Sequence, residues 1–141
     1  MDGVFNHVGR EFFAFKDVKE KRENSAYKDW FNNLHFDWNN DYNDGLYYDS
    51  WDGHGTLVNL NHQNTAVREY MLDVVRFWIS EFNIDGIRLD AADVLDFTFM
   101  SELRSVTNSC KQDFWLMGEV IHGDYTRWVN ENMLQSVTNY W

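Results

Sequence analysis

Proline is wholly absent from these 141 residues. Average usage of about 5% would supply several, and nothing in the sequence accounts for the lack. Cysteine is nearly absent too. Cys110 stands alone, which excludes an internal disulfide framework and says little about compartment. Positive charge is scarce: 12 Lys and Arg face 23 Asp and Glu, for a formal net charge of −11. A nucleic acid or an anionic membrane surface needs a basic footprint, so no partner of either kind is expected. No apolar run approaches the length of a bilayer span. The opening residues, "MDGVFNHVGREF", carry neither the basic region nor the apolar core of a signal peptide, and a cytoplasmic location is the expectation. Repeats and low-complexity tracts are missing as well.

What is present is an aromatic-rich globular chain. Hydrophobic residues make up 44% and aromatics 18%, enough for the core of one domain and more rings than an ordinary core needs. Flat rings with polar edges suit sugars and other amphipathic rings. Residues 1 to 7 read as the tail of a strand. A long irregular stretch follows from about Val8 to Thr56, whose segment "DWNNDYNDGLYYDSWDGHG" is packed with turn residues. A loop region of that length is usually functional or a small subdomain.

The clearest helix comes next, with Val67, Met71, Val74, Trp78 and Phe82 at helical spacing and Asn64 as N-cap. "IDGIRLD" then reads as a strand. Phe99, Leu103 and Val106 mark a second helix capped by Asp96, and "DFWLMGEV" is another strand. "DYTRWVNENML" predicts a short helix and "SVTNYW" a last strand. Strands alternating with helices argue for a parallel sheet with covering helices.

Within "DGIRLD", Arg88 and Asp90 are two apart and share a face of the strand, since side chains alternate. Asp90 falls at the strand's carboxyl end, where parallel α/β proteins build their sites. Glu119 ends the next strand in the corresponding place, one βαβ unit later. Two carboxyls about 5–5.5 Å apart are what a retaining glycosidase needs, one to attack the sugar carbon and one to handle protons. Arg88 is expected to favour the ionised form of Asp90, and aromatic surroundings to raise Glu119 toward a proton donor. Spacing alone leaves a second reading open: an ordinary Arg–Asp ion pair with Glu119 merely solvated.

At this point the residues carry a resemblance. "DGVFNH" at 2 to 7, "GIRLDAAD" at 86 to 93 and "GEV" at 118 to 120 resemble, in order, three short motifs of the α-amylase family of glycoside hydrolases. "FFAFKDV", "SAYKDWF", "LNHQNTAVREYMLDV" and His122 are similar to its neopullulanase, cyclomaltodextrinase and maltogenic-amylase branch.

The resemblance implies an α/β fold: part of a (β/α)8 TIM barrel, strands three to six, with a loop-rich subdomain inserted after the third strand at residues 8 to 57. It implies Asp90 as nucleophile, Glu119 as general acid/base, Arg88 supporting the nucleophile, and His7 and His122 on the sugar. Asn6 matches a position that ligates calcium in many members, while the chemistry itself requires no cofactor. The implied partner is an α-glucan oligosaccharide or polysaccharide, and a homo-oligomeric parent is left open.

The chain departs from the family pattern in places. No "NHD"-type motif supplies the family's further catalytic aspartate, so an internal piece of a longer enzyme is expected, inactive alone. Asp93 and Val94 stand where relatives carry Lys or Asn and then His or Glu. Ile121 replaces a common Trp, and Thr65 a helix-starting proline. A non-catalytic, carbohydrate-binding relative is the alternative, disfavoured because both carboxylates are kept.

Lesser signals fall short. The histidines show no HExxH or paired zinc spacing, and the acidic loop fails the EF-hand template, with Tyr42 at a ligand position and no closing glutamate. The loop aromatics Phe12, Phe13, Phe15, Trp30, Phe31, Tyr47, Tyr48 and Trp51 are sugar-platform candidates or the insertion's own small core.

Overall fold

The structure is a computed structural model and describes residues 1 to 138. In chain order the elements are β1 (Asp2–Gly3), β2 (His7–Gly9), α1 (Phe13–Lys21), β3 (Ser50–Trp51), β4 (His54–Asn59), α2 (Thr65–Phe82), β5 (Gly86–Leu89), α3 (Phe97–Cys110), β6 (Trp115–Gly118) and β7 (Ser136–Val137). They fall into two compact units. Of the described residues, 1–5 and 68–138 form the first, and 6–67 the second.

The first unit is built on a four-stranded parallel sheet in the order β1-β5-β6-β7. Parallel neighbours need crossover connections. Helix α2 lies in the one from β1 to β5 and α3 in the one from β5 to β6, while that from β6 to β7 carries a single 3-10 turn. Side chains alternate as a half-buried sheet requires. Ile87, Leu89 and Leu116 are buried, whereas Arg88 and Met117, paired in register, point to the other face. Asn64 caps α2 by accepting from the Ala66 amide at 2.8 Å, and Asp96 caps α3 from the Phe99 amide at 2.9 Å. Each such cap stabilises its helix by about 1 kcal/mol. Phe5 and Phe99 meet edge to face at 5.6 Å, and Arg68 ties α2 to α3 through Glu102 at 3.1 Å.

Three expectations shift here. The buried stripe of α2 is Val67, Met71, Leu72 and Val75, whereas Phe82 at the helix end is exposed and packs edge to face on Phe77. At 100° per residue the buried positions centre between Met71 and Val75. Val74 and Trp78 therefore fall toward one margin of that face and are half-buried, while Phe82 lies on the face but at the helix end. "DYTRWVNENML" holds one 3-10 turn, Tyr125–Arg127, in place of a helix. Of the last predicted strand, Ser136–Val137 is strand, and residues 139 to 141 lie outside the described residues.

The second unit is more ordered than the long irregular stretch expected. β2, β4 and β3 form an antiparallel sheet in the order β2-β4-β3. Between β3 and β4 the chain reverses through Asp52 and Gly53, both at positive φ, as a tight Asp-Gly hairpin turn demands. Helix α1 contributes Ala14, Phe15 and Val18 to a core shared with Phe31, Leu46 and Tyr48. The loop between α1 and β3 is pinned by two arginines. Arg10 pairs with Asp44 and lies 3.9 Å from the centre of the Tyr42 ring, while Arg22 donates 2.7 Å bonds to the carbonyls of Phe36 and Gly45. Among the described residues, no helix is long and apolar enough to cross a membrane.

Candidate active site

The chemistry-bearing residues of the first unit gather at the carboxyl ends of its strands. The Asp90 amide donates to the Gly3 carbonyl at 2.9 Å, and the Glu119 amide to the Leu89 carbonyl at 2.8 Å. Each acid is therefore fixed by the strand beside it. Directly after Asp90 the backbone turns through Ala91, in the left-handed region at φ 48° and ψ 45°. Such a conformation costs an L-residue about 1–2 kcal/mol. The turn lets the Ala92 amide, rather than that of Ala91, donate to the Glu119 carbonyl at 3.0 Å.

Gly118 makes the close approach feasible. A Cβ there would lie 2.5 Å from Leu134 Cδ1 and 2.7 Å from Ala92 Cβ. The glycine of "GEV" is thus a packing requirement immediately before the acid.

Arg88 occupies the centre. Its Nη2 donates to Glu119 Oε2 at 2.6 Å, while Nη1 stands 3.8 Å from Asp90 Oδ1 and 3.7 Å from Asp2 Oδ1. The arginine was expected to serve the aspartate. It reaches both acids: the short, charge-assisted bond goes to the glutamate, and Asp90 has the longer ion-pair contact. A guanidinium has donors on both terminal nitrogens, so one arginine spans acids on two adjacent strands. Arg88, Asp90 and Glu119 are all half-buried.

Asp2 was not singled out from the sequence. Its signal is positional: in the parallel ladder it stands beside Arg88, on the same face.

The structure brings Arg88, Asp90 and Glu119 together. His122 is exposed on the turn after β6. His7 and Asn6 belong to the second unit, where both are buried. The Asn6 amide nitrogen lies 3.4 Å from His7 Nδ1, and the His7 ring centre is 5.5 Å from that of Trp51. Phe15, Trp30, Phe31 and Tyr48, offered as sugar platforms, are buried and form this unit's core.

The calcium expectation is testable on the donors around Asn6. Its backbone oxygen already accepts from the Leu60 amide at 3.1 Å. Asn59, opposite His7 in the β2–β4 ladder, holds a buried Oδ1 without a hydrogen-bond partner among the described residues. Calcium takes six to eight oxygens, carboxylates prominent among them. Two neutral amides do not make that set, and no group of three His, Cys, Asp or Glu able to hold a metal occurs among the described residues. No chemical step is therefore assigned to calcium.

Two acids on adjacent parallel strand ends, bridged by one arginine, form a site of a class able to carry out proton transfer and nucleophilic attack. Comparison with known proteins gives that class its family. Residues 1–141 match the α-amylase catalytic domain, and the chain belongs to that family. It is 37% identical over 140 residues to the cyclomaltodextrinase of Geobacillus thermopakistaniensis and 38% over 141 residues to neopullulanase 2 of Thermoactinomyces vulgaris. Each match covers 99% of this chain and 23% of the relative, so the chain spans about a quarter of the length of these relatives. Among solved structures, the debranching enzyme from Nostoc punctiforme superposes with a TM-score of 0.86 at 36% identity, over 99% of this chain and 29% of that one.

Proposed function

We propose that this chain supplies the nucleophile and the proton donor of a retaining hydrolase of α-1,4-glucosidic bonds in maltodextrins, cyclodextrins or starch, with transglycosylation as a variant outcome. Asp90 attacks the anomeric carbon and forms a glycosyl ester while Glu119 protonates the departing glycosidic oxygen. Glu119 then takes a proton from water, the water opens the ester, and the sugar leaves with its configuration kept. Arg88 holds the two acids at a fixed mutual spacing. His7 and His122 contact the sugar. The chemistry calls for no cofactor.

In this reading β1, β5, β6 and β7 are strands three to six of a (β/α)8 barrel, and residues 8 to 57 are an insertion after the third. The sheet as described has unpaired outer edges at β1 and β7, and residues 1–141 by themselves are expected not to hydrolyse maltotriose.

The observation that carries the proposal is the single guanidinium reaching both Asp90 and Glu119 from between adjacent strand ends. Its test is made in the intact protein. Asp90→Asn should remove nearly all turnover of maltotriose and of a cyclodextrin while the circular dichroism spectrum and melting temperature hold. A variant keeping more than a few per cent of activity would rule Asp90 out as nucleophile. Proton NMR of the first product gives the stereochemistry, and an inverted anomer would end the retaining mechanism.

A further inference from the structure

Most rings of the second unit are spent on its core or covered by a neighbour. Phe15, Phe31 and Tyr48 are buried, and the exposed Tyr42 ring lies under the Arg10 guanidinium at 3.9 Å. Trp38 is different: 53% of it is exposed. One face of its indole is stacked on the His35 ring at 4.2 Å, with an interplanar angle of 20°, and Tyr47 meets it at 5.3 Å and 64°. A ring with one face covered and half its area in solvent presents its other face to solvent.

The support beneath this ring is rigid. His35 and Tyr47 exchange backbone hydrogen bonds at 2.9 and 2.8 Å, so the two residues flanking Trp38 sit in one antiparallel bridge. The His35 ring is fixed in turn by a 2.9 Å hydrogen bond between Nε2 and Asn33 Oδ1. Asn33 is exposed and reaches toward Asp49 at 3.4 Å, and Asp37 is exposed beside the tryptophan in sequence. An aromatic floor therefore has a rim of amide and carboxylate groups.

We infer that Trp38, seated on His35 and Tyr47, is an accessory binding platform for an α-glucan chain, on which a glucose unit lays its C–H face while its hydroxyls meet the polar rim. This inference rests on the glucan reading above and adds a second contact point to it. A pyranose has the matching anatomy: flat apolar faces and an equator of hydrogen-bonding hydroxyls. The groups named at this rim are amides and carboxylates, and the chain carries a net charge of −11, so a phosphorylated or otherwise anionic ligand is disfavoured. The exposed pair Phe77 and Phe82 on α2 offers rings as well. Its two rings meet edge to face at 89°, so neither lies flat on a ring beneath it, which separates the pair from the Trp38 platform.

The experiment uses the intact protein in native gels containing soluble starch, with Asp90→Asn as the background so that the polymer survives. Trp38→Ala should lose most of the starch-induced retardation, weakening binding roughly tenfold, about the worth of one lost aromatic contact. Trp38→Phe should recover part of it, and His35→Ala should weaken binding less than Trp38→Ala. With Asp90 restored, turnover of a short chromogenic maltoside should stay within about twofold of the parent. Equal retardation of Trp38→Ala and its background, with both folded, overturns the platform. So does an equal loss of turnover on the short maltoside and on starch. A protein that cuts maltodextrins but ignores starch in the gel fails the platform and keeps the glucan reading, whereas one that neither cuts nor binds any glucan fails both.

Discussion

Arg88 gives its 2.6 Å hydrogen bond to Glu119 and stands 3.8 Å from Asp90. One cation thus sets the spacing between two acids on neighbouring strands. A lysine, a single point of charge, cannot reach both at once. Arg88→Lys in the intact protein should therefore lower kcat on maltotriose roughly a hundredfold, in the range found for losing one preorganised electrostatic donor. Steady-state kinetics check this, and an unchanged kcat would show that the bridge is dispensable.

Gly118 is enclosed on the side where a methyl group would go, by Leu134 Cδ1 at 2.5 Å and Ala92 Cβ at 2.7 Å. Gly118→Ala should destabilise by about 1–3 kcal/mol, the usual cost of overpacking. Because the displaced Ala92 amide holds the Glu119 carbonyl, activity should fall alongside stability. Calorimetry and kinetics on the same preparation test both halves.

At Ala91 the reverse is expected. Its left-handed backbone suits glycine better than alanine, and the relief offsets the extra freedom that glycine brings to the unfolded chain. Ala91→Gly should leave the melting temperature within a few degrees of the parent, whereas Ala91→Val should lower it well beyond that, the β-branched side chain being least tolerant of positive φ. Thermal melts of the two variants decide it.

The Asp17 carboxyl is held below the ordinary carboxylate range, first by the Ser25 hydroxyl at 2.6 Å and then by Lys21 at 3.0 Å. A depressed folded-state value means a stabilising contribution that is complete above the unfolded value, about 3.9, and is lost as pH falls through the folded one. Asp17→Asn should melt below the parent at neutral pH, and the gap should close as pH falls below the unfolded value. Melting curves across that range measure it. A gap that widens on acidification would contradict the sign.

The legible parts of this chain were those with local chemical signatures. Asn64 and Asp96 announce two helices because caps are written in side chains. The shared face of Arg88 and Asp90 follows from strand alternation alone. Helix α1 lacked such marks. Phe12 precedes it with no capping side chain, and it ends at Arg22 in a positive-φ conformation where glycine would be the usual signal. The antiparallel sheet escaped notice because two of its strands are only two and three residues long and β2 finds its partner some fifty residues away. Which acid receives the arginine's short bond depends on side-chain reach across two strands, and no sequence period encodes that. Trp38 carried no signal of its own in the sequence, and only its neighbours in the fold separate it from the core.

The ladder bonds that hold the Asp90 and Glu119 amides have a consequence for how such a protein diversifies. Each carboxylate is anchored through its own main chain to the strand beside it, one weld per acid. A side chain can therefore be exchanged at either position without loosening the backbone that carries it, so the chemistry of the two places can vary while their mutual placement is kept.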